Sequence, residues 1–341
     1  MKKGSRIRLI GYVLGVAGAA LLTALIVREG AAKIIAALAH ASWAFPVIVA
    51  ISTGRLFSDG AAWAALFPKP NRPRLLAAVW IRWVGGSVND ILPSSRLGGD
   101  ILTTRLATIT RGISTTLAAA VIVVNMTLSI TLRILFTVGA MLLIASITGL
   151  QRLYLPISAA GVIALLAVLA FCVIQRLGFF RLTTALISRV KDISKWDSFT
   201  RGGATFDQTL RSLYSRRAAL LIYSLLWIVT WFIASLETWI ALFALGVHAS
   251  FLTAGIVEII GQGVRTVLFI VPAGLGVFEG GMVVVCGLLG IPGDIALALS
   301  LIRRGREALF TVPGLIVWQI IEGRRLFRGS KVNESEEILR S

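Results

Sequence analysis

Apolar runs separated by short basic stretches dominate the chain. Crossing a bilayer core takes about 20 apolar residues, and Leu9–Val27, Trp43–Phe67, Leu155–Ile174, Ala218–Leu245 and Phe251–Val271 are long enough. Leu75–Leu92 is marginal. Ile113–Ile147 as one helix would reach roughly 50 Å, so it reads as two spans joined near Thr127–Arg133, although no Gly or Pro marks the joint. Ile295–Ile321 reads as two shorter pieces. The pattern predicts an all-α fold, a polytopic membrane helix bundle of about eight spans plus two broken or re-entrant segments.

Those two segments repeat one design. Ile91-Leu92-Pro93-Ser94-Ser95-Arg96-Leu97-Gly98-Gly99-Asp100 and Ile270-Val271-Pro272-Ala273-Gly274-Leu275-Gly276-Val277-Phe278-Glu279-Gly280-Gly281 each run from a proline through glycines to a carboxylate seven residues after the proline. A further glycine (Gly112, Gly290) and an apolar helix follow each. Broken backbone at membrane depth is tolerated when buried in protein or lining a wet cavity. Paired breaks in two halves point to a transporter's binding site, with helix N-termini that favour an anionic group. Asp100 and Glu279 either carry protons or cap these helix starts. The alternative is that both segments are extramembrane loops.

The organisation that follows is an N-terminal membrane half, 1–175, with its break at 92–100, and a C-terminal half, 218–329, with its break at 271–281. Between them, 176–217 carries nine basic residues against Asp192, Asp197 and Asp207. Leu182, Leu186, Val190 and Ile193 recur there at helical spacing, which fits a cytoplasmic amphipathic linker lying on anionic headgroups or a plain solvated loop. Residues 330–341 read as a disordered tail. The charged start and Leu9–Val27 suggest an uncleaved first span, because the apolar stretch exceeds a signal peptide's usual 7–15 residues.

Composition agrees. Hydrophobic types make up 57% and charged types only 15%, against about 25% charged in soluble domains. The formal charge of +18 sits between apolar runs, at Lys2, Lys3, Arg6 and Arg8, at Lys69, Arg72 and Arg74, and at Arg324, Arg325 and Arg328. That is the positive-inside pattern; it places both termini in the cytoplasm and argues against nucleic acid. Cys172 and Cys286 read as core residues. His40 and His248 have no ligand spacing around them, so no metal or cofactor is expected.

Charges inside apolar runs are the functional candidates. Arg55 and Asp59 lie four apart and are expected to pair. Glu258, Gln262 and Arg265 share a face leading into the second break. Arg303, Arg304, Arg306 and Glu307 form a dense cluster, with Arg303 and Glu307 one turn apart; three arginines to one carboxylate leave positive charge for a phosphate or carboxylate headgroup. Arg96, Gly98, Gly99, Asp100, Arg105, Gly274, Gly276, Glu279 and Gly280 complete the expected substrate site, with Asn89 and Asn125 as supporting polar groups. Glu237 stands alone in a Trp-rich span, its role open.

The stretches WIRWVGGSVNDILPSSRLGGD (80–100), VIVVNMTLSITLRILFTVG (121–139) and VPAGLGVFEGGMVVVCGLLGIPGDIALALSLIRRGREALFTVPGLIVWQ (271–319) resemble the flippase-like transmembrane region of lysylphosphatidylglycerol synthases, and within it the hopanoid-biosynthesis-associated membrane proteins. The resemblance implies a bacterial inner-membrane protein that translocates or handles a lipid: a hopanoid-related lipid, or an anionic or aminoacylated phospholipid. The synthase relatives add a soluble aminoacyl-transferase domain. With the chain ending at Ser341, aminoacylation is expected to be absent. Three positions depart from the family pattern. Thr103 stands where relatives often have Arg, Asn125 where many have Asp, and Phe278 where a polar residue is usual, which fits a different or less polar substrate.

Transport by two halves rocking around a midplane hollow is the leading reading. An integral-membrane lipid-modifying enzyme would need a carboxylate-rich metal motif or a nucleophile beside a base, and neither is visible. A non-transporting partner that recruits lipid-biosynthesis enzymes would use the 176–217 linker; lipid movement surviving deletion of that linker would separate the two. Homo-oligomerisation stays open.

Overall fold

A computed structural model describes residues 18–91, 97–177, 197–267 and 276–338, and these are almost wholly helical. Helix α1 (residues 18–29) leads into α2 (Ala31–His40), a 3-10 turn and α3 (Ala44–Ala65). Then come α4 (Leu75–Ile91), α5 (Leu97–Arg111), α6 (Thr115–Ile147) and α7 (Tyr154–Leu177). After the undescribed stretch follow α8 (Asp197–Ser215), α9 (Arg217–Ala244), α10 (Phe251–Val267), α11 (Val277–Leu288) and α12 (Gly293–Ile338). Among the described residues, Ala31–Ala65, Thr115–Ile147, Gln151–Leu177 and Arg217–Ala244 are long and apolar enough to cross a membrane. Outward-facing Leu155 and Ile163 are 80% and 68% exposed. An apolar face of that kind along α7 belongs in hydrocarbon rather than water.

Helix continuity corrects two expectations. The stretch 113–147 is one helix, not two: Ser114 caps its start by accepting from the Leu117 amide at 3.3 Å. At the expected joint, Thr127 and Thr131 bond back to the carbonyls four residues earlier, so the backbone there has no reason to break. Likewise 293–338 is a single helix that carries Pro313 inside it. Near that proline, Trp83 Nε1 of α4 donates to the Phe310 carbonyl at 2.8 Å, next to the Leu309 carbonyl that the proline leaves without its helical donor. The helix continues to Ile338 through the stretch that reads as a disordered tail.

The packing repeats. In the first unit α2 to α6 follow in order, and in the second α8 to α12. Within each, the long helix packs on the first member of the broken hairpin (α3 on α4, α9 on α10), and the hairpin closes on itself (α4 on α5, α10 on α11). Its second member packs on the final helix, α5 on α6 and α11 on α12. Between units the contacts exchange: α4 lies on α12 and α10 on α6, α2 on α12 and α8 on α6, while α3 and α9 pack on each other. Arg216, at the start of α9, donates to the carbonyls of Leu66 and Phe67 just past the end of α3, at 2.6 and 3.1 Å, so α3 and α9 run antiparallel. Two large apolar cores result, with a smaller one of Ala140, Ile144, Ile256 and Val285. One joins Trp63, Leu66 and Phe67 to Ile113, Leu117, Leu210 and Tyr223. The other joins Ile34, Ala44 and Ile48 to Leu242, Leu245, Ile291 and Leu297 at the opposite end of the α3–α9 pair. This is the contact pattern of an inverted repeat.

In each unit a left-handed glycine separates the hairpin's second helix from the final one, Gly112 at φ +63° and Gly290 at φ +75°. Side chains adopt that backbone at a cost glycine avoids. Within the basic linker, α8 buries Leu210, Leu213 and Tyr214 in the first core. Tyr214 donates to Gln175 of α7 at 2.5 Å, and Gln175 to Thr127 of α6 at 3.3 Å. Leu182, Leu186, Val190 and Ile193 lie outside the described residues.

Candidate functional site

The polar centre is assembled on α12, where a one-turn run brings Arg303, Arg304 and Arg306 against three different helices. Arg303 donates to Glu258 of α10 and, at 2.9 Å, to Thr238 of α9. Thr238 in turn donates to Glu258 at 2.8 Å, and Gln262 to the same carboxylate at 3.1 Å. Arg306 pairs with Glu237 of α9 and lies 3.7 Å from Glu307. Arg304 Nε donates to Glu279 in the first turn of α11 at 2.5 Å. Arg55 of α3 reaches Glu237 at 3.9 Å. Glu279 is fully buried, and Glu237, Glu258, Arg303 and Arg306 are nearly so.

The sequence predicts an arginine excess here, and the structure overturns it. Arg55, Arg303, Arg304 and Arg306 meet Glu237, Glu258, Glu279 and Glu307, and the formal charges cancel. Spacing along one helix could not reveal this, because the compensating carboxylates come from α9, α10 and α11. Two further pairings differ from expectation. Asp59 is held by Arg82 of α4 through two bonds of 2.8 and 3.2 Å, not by Arg55; the fork geometry of a guanidinium on a neighbouring helix outcompetes a partner one turn away. Arg303 is held by Glu258 rather than Glu307.

The first break carries a different chemistry. Gly99, in the first turn of α5, donates its amide to Asn89 Oδ1 of α4 at 2.8 Å, so Asn89 satisfies a helix-start donor. The α4 and α5 backbones approach closely there, and a Cβ on Gly99 would collide with the Gly85 carbonyl. Gly98 and Asp100 sit in the same turn. Arg105 is brought elsewhere: it pairs with Glu322 of α12 at 2.9 Å, half exposed. Thr311 of α12 donates to Asp90 at 3.0 Å. Gly276 precedes α11 with φ +74°, and Gly280 lies in its first turns. Arg96 and Gly274, the prolines Pro93 and Pro272, and the side chain of Arg265 lie outside the described residues.

Glu237, Thr238, Arg303 and Arg306, with Ile48, Ala241, Leu299 and Ile302, line a void of about 10 Å³, room for roughly one water and far smaller than a lipid headgroup. Glu237 Oε1 and Glu279 Oε2 are buried without a hydrogen-bond partner among the described residues, a costly condition in a dry interior. Sequence reasoning missed Thr238 and Arg82 altogether; a lone carboxylate in an apolar span, Glu237, was the one signal that a buried cation had to face it.

Residues 10–314 match the family described as the lysylphosphatidylglycerol synthase TM region. The chain belongs to this family. Neither a curated protein nor a solved structure matches it. Membership makes it a membrane protein related to lipid handling, in keeping with its apolar helices. At the three positions expected to depart from the resemblance the structure shows what each residue does. Thr103 is buried, donates to the Gly99 carbonyl at 2.8 Å and faces Gly85. Asn125 Oδ1 accepts from Tyr223 at 3.0 Å. Phe278 lies with its ring 6.0 Å from the Arg304 guanidinium, within cation–π range.

Proposed function

We propose that the protein is a flippase-like transporter that passes a lipid headgroup across the bacterial inner membrane along the junction of α9, α10, α11 and α12. The observation that carries this reading is the buried, charge-balanced arginine–glutamate cluster beside a broken hairpin. Buried ion pairs are weak contributors to stability, since desolvation offsets much of their attraction. They can, however, exchange partners: a phosphate or carboxylate headgroup entering between α11 and α12 takes the place of Glu279 or Glu258 on the arginines, and the displaced carboxylate takes up a proton. The described arrangement is then the closed state, and movement of one unit against the other opens it. The basic flanks favour both termini in the cytoplasm. An aminoacylated, anionic or hopanoid-related lipid fits this chemistry.

Reconstitution into liposomes with fluorescent lipids of differing headgroup tests the proposal. Wild-type protein is expected to accelerate movement of at least one headgroup class, and Glu279→Gln and Arg303→Gln to slow it. Rates equal to those of empty liposomes for every lipid would overturn it.

A further inference from the structure

A second basic site lies away from the central cluster, at the end of the molecule where α3 hands over to α4 and α5 to α6. Asn71, Arg72 and Arg74 in the α3–α4 connection, with Arg111, Gly112 and Ile113 at the α5–α6 joint, line a surface cavity of about 180 Å³. Three guanidiniums border it and no carboxylate does. None of the three is in an ion pair among the described residues, although Arg72 also donates to the Ala65 carbonyl at 3.1 Å. Arg216, which holds the same end of α3, has its pKa lowered by burial and then by the charge of Arg72.

The inverted repeat provides an internal comparison. The counterpart connections, 245–250 between α9 and α10 and 289–293 between α11 and α12, read LGVHAS and LGIPG and contain no Arg or Lys. The fold does not need arginines to join these helices, since the second unit connects its counterparts without them. What the first unit adds is a concave, three-arginine surface. Apolar side chains flank it: Leu75 and Leu76 directly follow Arg74 and are 46% and 70% exposed, and Ile109 precedes Arg111 at 40%. Guanidinium groups suit phosphate oxygens through paired N–H donors, and basic pockets between membrane helices collect anionic lipid heads.

We infer that the Arg72–Arg74–Arg111 cavity binds a phosphate-bearing anion, namely the headgroup of an anionic phospholipid whose chains lie along Leu75, Leu76 and Ile109. This site is separate from the central cluster and does not rest on the transport reading. The test titrates full-length protein, in neutral detergent, with phosphatidylglycerol, with a neutral diacylglycerol and with inorganic phosphate, and counts adducts by native mass spectrometry. The variants are Arg74→Gln/Arg111→Gln and, as a control of equal charge outside the cavity, Arg152→Gln/Arg217→Gln. All four positions are exposed, and thermal unfolding checks that each variant folds. Wild-type protein is expected to retain phosphatidylglycerol and not diacylglycerol. The cavity variant should lose one retained phosphatidylglycerol, with an affinity drop of about tenfold or more. The control is expected to stay within about twofold. Unchanged binding in the cavity variant, or an equal loss in the control, would overturn the site. Adducts with inorganic phosphate but none with phosphatidylglycerol would overturn the lipid assignment in favour of a soluble anion.

Discussion

Replacing Arg306 by Leu leaves Glu237 buried with only Arg55, 3.9 Å away, to face it. Removing one partner of a buried ion pair costs about 3–5 kcal/mol. Because Arg55 stays near Glu237, and Glu307 stays 3.7 Å from Arg306 when Glu237 is the one removed, each single variant belongs at the lower end, about 3 kcal/mol. The double variant Glu237→Leu/Arg306→Leu removes both charges and fills the site with apolar volume, so its stability should return to within about 1 kcal/mol of wild type or exceed it. The double-mutant cycle, read by reversible unfolding in mixed micelles, should therefore give a coupling energy of about 5 kcal/mol. Additive single effects, or single variants within about 0.5 kcal/mol of wild type, would refute the pairing. The same double variant then separates glue from function. Folded and stable, it should still lose lipid movement in liposomes, because a headgroup crossing the cluster has one arginine fewer to meet. A stable double variant that moves lipid at the wild-type rate would reduce the pair to a structural tie.

At the first break, Asn89→Ala leaves the Gly99 amide of α5 without its acceptor. The expected cost is about 1–3 kcal/mol, seen as faster hydrogen exchange across the first turns of α5. Gly99→Ala drives a Cβ into the Gly85 carbonyl and the Asn89 side chain, and the overpacking should destabilise by about 1–3 kcal/mol. Gly139→Ala, on α6 with open space at its Cβ, should be neutral or stabilising by up to about 1 kcal/mol. A thermal scan that ranks these two the other way would contradict the close approach of α4 and α5.

Much of this was legible in the chain. The repeated proline–glycine–carboxylate pattern marks the two hairpins, and left-handed glycines at Gly112 and Gly290 do end α5 and follow α11. Glu279, Arg303 and Arg306, expected in the substrate site, and Glu258 and Gln262, expected on a face leading into the second break, converge on one cluster. Partner choice was not legible. Spacing along a helix reveals neighbours on the same face, so Asp59 looks committed to Arg55 when the bidentate donor is Arg82 on another helix. Helix length misled in a different way. Bilayer thickness argues for cutting 113–147, but continuity is decided locally: the Thr127 and Thr131 hydroxyls are satisfied on carbonyls of their own helix, and no Gly or Pro breaks the backbone there.

The two units share a contact pattern but not a chemistry, and the difference predicts which of them responds to ligand. Asn125 lies 25 residues after Asp100, as Arg304 lies 25 after Glu279, and Thr127 stands in the same relation to Arg306. Where α12 carries guanidiniums, α6 carries an amide and a hydroxyl, held by Tyr223 and Gln175 at 3.0 and 3.3 Å. A satisfied neutral network of that kind rigidifies its surroundings and gains nothing from an arriving anion. The α12 pairs can respond, since their guanidiniums can pass from the carboxylates to an anionic headgroup while a displaced glutamate takes up a proton. Hydrogen exchange in nanodiscs with and without a transported lipid should therefore change in α10, α11 and the Arg303 region of α12, while 120–130 of α6 stays constant. Equal responses in both units would mean that the charge asymmetry has no bearing on how the bundle moves.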